Sequence, residues 1–140
     1  MKKQFVISAA ILILLLALMG CSGKNTIKGH YELTQFMVNG WNMASEAKGT
    51  YFDSKGADNN SISTFHFEFK GTSGSLSDTV TGYLSTESES GDFITYKFWV
   101  VSHVGNFFSD STQWFYVDYD AKNDIVSIQT NKDAEFRLEK

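Results

Sequence analysis

Three histidines, His30, His66 and His103, carry the first side chains with the chemistry to build a site. Imidazole holds zinc and related metals when ligands recur at short, matched spacings. Here each histidine falls on a different predicted strand and none lies close to another in sequence, so no metal site is expected. His30 and His66 alternate with apolar neighbours and should point to solvent. Two acidic stretches, 53–58 and 118–123, have the outline of calcium loops. Lys55, Ala57 and Lys122 stand at alternating positions that need oxygen ligands, and neither loop closes on a glutamate, so both read as turns. Serines are abundant enough for a Ser, His and Asp set to arise from composition alone, and no Gly-x-Ser-x-Gly element marks a nucleophile. Glu87 and Glu89 sit two apart in a serine-rich turn, a solvated loop rather than an acid and base pair. No catalytic residue, enzyme activity or cofactor is expected.

The remaining reactive group is the single cysteine, Cys21, in Leu16-Ala17-Leu18-Met19-Gly20-Cys21. One cysteine excludes an intrachain disulfide, a CxxC redox pair and a multi-cysteine zinc site. It follows Lys2, Lys3 and an apolar run from Phe5 to Met19, the layout of a secretory signal and shorter than the ~20 residues a spanning helix needs. Leu18-Met19-Gly20-Cys21 resembles the lipobox of bacterial lipoproteins, which implies a diacylglycerol on the Cys21 sulfur and cleavage before it. The alternative is an ordinary signal peptide with an incidental cysteine. The first reading divides the chain into a signal at 1–20, a lipidated tether at 21–26 and a domain at 27–140. Ser22 after the anchor is compatible with sorting to the outer membrane if the envelope is Gram-negative. Loss of residues 1–20 removes Lys2 and Lys3 but no acid, taking the formal charge from -4 to -6. A nucleic acid is therefore not an expected partner.

Alternation at period two dominates the rest of the chain, bounded by Gly, Asn, Asp and Ser clusters. Thr64-Phe65-His66-Phe67-Glu68-Phe69-Lys70 places three phenylalanines on one face. In 93–103, Ile94, Tyr96, Phe98 and Val100 share a face, while Trp99 and Val101 make the other partly apolar, as in a strand covered on both sides. Strands are also expected at 27–38, 75–85, 112–119, 125–130 and 136–139. An eighth lies within 41–52, where 43–48 would serve equally as a short helix. Short connections at 70–74, 89–92 and 121–124 suggest an antiparallel meander. The fold class is all-β, as a barrel or a sandwich; closure into a barrel of about eight strands is favoured because it removes exposed edges, and the chain has no proline to guard them.

The opening strand Ile27-Lys28-Gly29-His30-Tyr31-Glu32-Leu33 with Val38-Asn39-Gly40, the run Phe67-Glu68-Phe69-Lys70-Gly71-Thr72-Ser73-Gly74 and the closing Phe136-Arg137-Leu138-Glu139-Lys140 resemble the lipocalin-like domains of small bacterial lipoproteins. Tyr31 stands where that family usually has tryptophan. The resemblance implies an up-and-down barrel with a pocket at one end and no catalytic residues. It also implies a small apolar ligand. The crowding of Trp99, Trp114, Phe115, Tyr116 and Tyr119 on two neighbouring strands suggests Trp114, Tyr116 and one of Phe98 or Trp99 as its lining; Phe98 and Trp99 are adjacent, so at most one looks inward. Of twelve Phe, six Tyr and three Trp only Phe5 lies in the signal, and the other 20 could equally fill a barrel just wide enough for side chains. Phe107 and Phe108, in a connection, either cover the mouth, meet a membrane or partner, or fold back onto the core. Arg137 either caps the barrel base over Tyr31 or points to solvent. Two functions remain open. One is a membrane-anchored carrier of a small apolar molecule. The other is a protein-interaction module, such as an inhibitor of an exported enzyme or an envelope assembly factor.

Overall fold

The computed structural model describes residues 26–58, 60–130 and 133–140. Cys21, Ser22 and the signal lie outside the described residues. The chain forms nine antiparallel strands: β1 (Gly29–Val38), β2 (Trp41–Asn42), β3 (Tyr51–Ser54), β4 (Ser63–Gly71), β5 (Gly74–Ser90), β6 (Phe93–Gly105), β7 (Trp114–Asp120), β8 (Ile125–Gln129) and β9 (Ala134–Glu139). Eight of them close into a barrel, because β1 pairs with β3 through its first half and with β9 through its second, from Glu32 opposite Glu139 to Val38 opposite Ala134.

The extra strand is β2, which folds back on β1 through a two-residue turn at Asn39 and Gly40, both left-handed with φ of 49° and 82°. The ambiguous stretch 41–52 proves to hold both of its readings. Ala44–Ala47 is a 3-10 helix, and Tyr51 opens β3. β5 and β6 run longer than the sequence pattern suggested and pair from Asp78 opposite Gly105 to Ser90 opposite Phe93. A bulge interrupts them at Thr81 and Gly82. There the two strands approach so closely that a Cβ on Gly82 would collide with the Trp99 carbonyl and the Phe98 ring.

Alternation sends one face of every barrel strand inward, where aromatic rings pack among aliphatic residues such as Val80, Leu84, Ile128 and Leu138. Phe98 stacks on Phe115 at 4.8 Å and Phe108 stacks on Phe115 at 5.4 Å. Phe36 stacks on Phe136 at 4.6 Å, and Phe65 meets Phe136 edge-on at 5.1 Å. Phe52, Phe65, Phe98 and Phe136 are all fully buried. The rings therefore fill the barrel from its middle to its mouth.

At the base, Tyr31 lies edge-on to Tyr119, and both hydroxyls donate to Asp124 Oδ1, at 3.3 and 2.6 Å. Burial pushes the Tyr31 phenol up to about 12 and raises Tyr119 as well. The Tyr119 hydroxyl, with Lys140 adding to it, holds the Asp124 carboxyl below the usual range. The cation over Tyr31 is Lys140, 5.6 Å from the ring centre, and not Arg137. Arg137 points outward between Phe136 and Leu138 and pairs with Glu139 at 3.1 Å. Of the two readings of Arg137, the outward one holds, and the cap over Tyr31 is supplied instead by Lys140.

Candidate functional site

The connection from β6 to β7 returns onto the core and closes the mouth. Phe107 packs 4.4 Å from Phe67, and Phe108 lies 5.0 Å from Phe107. Its conformation is fixed by Asp78, a fully buried carboxylate on β5. Asp78 Oδ2 accepts the Phe107 and Phe108 amides at 3.2 and 2.8 Å, and Oδ1 lies 3.2 Å from His103 Nδ1. His103 Nε2 meets Asp110 at 3.1 Å. Each ring nitrogen thus faces a carboxylate oxygen. Asn106 ties the start of the connection down, its amide donating to Ser77 O and its side-chain oxygen accepting from Ser77 N, both at 2.9 Å.

The other histidines sit on the outside. His30 bonds Asp53 at 2.6 Å, while His66 stacks on Tyr51 and bonds Thr79 at 2.8 Å. Among the described residues, no group of three or more His, Cys, Asp or Glu is placed to hold a metal ion. Asp120, in the second loop with a calcium-like outline, turns its carboxylate onto the Lys122 and Asn123 amides and the Asn123 side chain. The Asn123 side-chain bond holds its carboxyl below the ordinary value.

Of the four residues named as pocket lining, only Phe98 points into the barrel. Trp99, Trp114 and Tyr116 have the opposite parity and stand on its outer wall, so the four do not share a cavity. This corrects the interior placement of Trp114 and Tyr116. Phe115 and Val117, between and beyond them, take the inward positions instead.

Sheet register brings the outward rings together. Tyr83 of β5, Trp99 of β6 and Trp114 of β7 are direct cross-strand partners and form one row. The next row holds Ser85, Lys97, Tyr116 and, on β8, Gln129. Trp99 Nε1 donates to Ser85 Oγ at 2.8 Å, and Trp114 meets Tyr116 edge-on at 5.0 Å. Lys97 Nζ lies 4.6 Å from the Trp114 ring centre and 5.6 Å from that of Trp99, with Glu87 at 3.8 Å. Trp114 and Tyr116 of β7 remain 38% and 39% exposed, while the outward Thr95, Lys97 and Trp99 of β6 are half-buried.

Beside this wall, toward the mouth, an open groove of about 450 Å³ runs between the β6–β7 connection and the ends of β7 and β8. No protein-family model, curated protein or solved structure matches the chain.

Proposed function

We propose that the chain is a lipid-anchored interaction module of the bacterial cell envelope, tethered through Cys21, which engages its partner on the outer wall of the barrel and not inside it. One observation carries the choice between the two functions: the positions a lipocalin-like carrier would leave open are occupied by Phe65, Phe98, Phe115 and Phe136 in ring-to-ring contact. An apolar guest would have to displace side chains packed at crystal-like density. The rings that cluster on the outer wall are Tyr83, Trp99, Trp114 and Tyr116; Trp41 on β2 and Phe93 at the start of β6 are exposed as well but lie outside the cluster. Trp and Tyr concentrate binding energy at interfaces, because they present large rigid area with a polar tip.

The lipobox-like Leu18-Met19-Gly20-Cys21 and the lipocalin-like patches support the envelope setting and the barrel class. Two acyl chains suffice for stable attachment. The reading is of a binder and not an enzyme, since the carboxylate, histidine and carboxylate of Asp78, His103 and Asp110 serve to hold the mouth.

The test places a photoreactive residue at position 83 of the full-length chain in the host envelope, with position 32 as the control. Glu32 is an exposed residue of β1, across the barrel from β6. A crosslinked species from position 83 alone is expected. The same yield at both positions, or none at 83, refutes an outer-wall interface.

A further inference from the structure

We infer that the groove at the mouth end of the aromatic wall binds a neutral glycan. The inference rests on the reading that the outer wall is the working surface, and it names what that surface takes. The groove opens where β7 runs past the paired end of β8: Tyr116 meets Gln129, while Trp114 pairs with Trp99 of β6. The β6–β7 connection supplies the facing side, held in shape by the Ser109 and Ser111 hydroxyls 2.8 Å apart and by the Thr112 amide donating to Ser109 O at 2.9 Å. A volume of about 450 Å³ falls within the range of roughly 300–1,000 Å³ usual for small-molecule sites.

Charge, polarity and ring placement together set the ligand class. Among the described residues, none that lines the groove carries a charge. The nearby cation, Lys97, is already met by Glu87 and lies against two indole rings. A ligand bearing phosphate or carboxylate would be desolvated there with no charge-assisted donor to receive it. The side chains of Ser109, Ser111, Thr112, Gln113 and Gln129 offer neutral hydroxyls and amides instead. An alkyl chain would strip water from those groups and return no hydrogen bond. Trp114 and Tyr116 set two ring surfaces at 65° to each other at the groove's edge.

A sugar ring matches this combination. One face presents C–H groups that lie on an aromatic ring, while its rim of hydroxyls both donates and accepts, as amide and hydroxyl side chains require. An extended peptide fits less well, because it is held chiefly by main-chain bonds to a free strand edge. Here the unpaired edge of β7 is only Trp114 and Phe115, too short for such a ladder, since β7 from Tyr116 onward is paired on both sides. Beyond the groove, Trp99 and Tyr83 continue the row of Trp114 over two strand spacings, ~10 Å, where the further units of an oligosaccharide would lie.

The probes are the tetrasaccharides of glucose and of N-acetylglucosamine, titrated against the full-length chain in detergent and followed by tryptophan fluorescence. A saturable change with at least one of them is expected. Trp114→Ala and Gln113→Ala should each weaken it about tenfold, and Trp41→Ala, on β2, should leave it unchanged. Gln113 is an exposed residue of the connection, so its variant keeps the test decisive if Trp114→Ala does not fold. No saturable change, or equal binding by the wild type and both groove variants, overturns the glycan. If position 83 then still yields a crosslinked protein, the glycan inference fails alone and the interaction module stands. If position 83 is silent as well, both fail.

Discussion

Asp78→Ala is the most informative single substitution in the barrel. The carboxylate is fully buried and accepts two main-chain amides, those of Phe107 and Phe108, besides facing His103. Alanine leaves both amides without an acceptor in a region where Phe107 is only 6% exposed. Each orphaned buried donor costs about 1–3 kcal/mol. Relief of the buried charge offsets part of that, so the net loss should be about 2–4 kcal/mol. Asp78→Asn keeps one oxygen for the two amides and should cost about 1 kcal/mol or less. Urea unfolding measures both, with the change read in the midpoint at constant slope. The alanine variant should also release the Phe107–Phe108 connection and take up an environment-sensitive apolar dye that the wild type ignores. Stability of Asp78→Ala within about 0.5 kcal/mol of wild type, or equal losses for Ala and Asn, would refute the claim that this carboxylate holds the mouth shut.

Three further outcomes follow from the base and the wall. Burial pushes the Tyr31 phenol up to about 12, so the folded chain keeps a proton that the unfolded chain releases near 10. Stability is therefore full below pH 10 and falls as pH rises through 10 to 12; Tyr31→Phe should flatten that fall in unfolding curves taken across the window, and an unchanged slope would contradict it. Gly82→Ala should abolish or severely reduce folded protein, because its methyl group meets the Trp99 carbonyl; a native-like circular dichroism spectrum and melting temperature would show the bulge to be pliable. Lys140→Ala removes the cation over Tyr31 and a 3.5 Å contact with Asp124, an expected loss of ~0.5–1 kcal/mol, whereas Arg137→Ala should lie within ~0.5 kcal/mol of wild type; the reverse order in denaturant midpoints would restore Arg137 as the cap.

Much of the barrel was legible because its strands alternate cleanly. Phe65 and Phe67 with His66 between them, or Ile94, Tyr96 and Phe98, declare both strand and inward face. Closure was less visible, since the pairing of β1 with β9 joins residues about a hundred positions apart and leaves no local mark. The outward placement of Trp114 and Tyr116 was available in the sequence: Asp118 and Asp120 share their parity, while Phe115, Val117 and Tyr119 take the other. Lys140 was missed in a similar way. It continues the phase of Phe136 and Leu138, but a lysine in that phase reads as a solvated charge and not as a ring cap. Asp78 also lies in phase with Val80 and Leu84, yet nothing local tells a buried acid from a solvated one in a serine-rich run. Its partners come from the loop after the next strand, 29 and 30 residues later.

The measurement that bears most directly on a filled barrel with an outer working surface is native mass spectrometry of the protein, purified gently from its own host and compared before and after denaturation. The account predicts that no small apolar molecule accompanies the folded chain and that added apolar dye is not taken up. A stoichiometric apolar ligand that leaves on denaturation, and whose binding is lost in Phe98 and Phe115 variants but not in Trp114 variants, would place the site inside the barrel and contradict it.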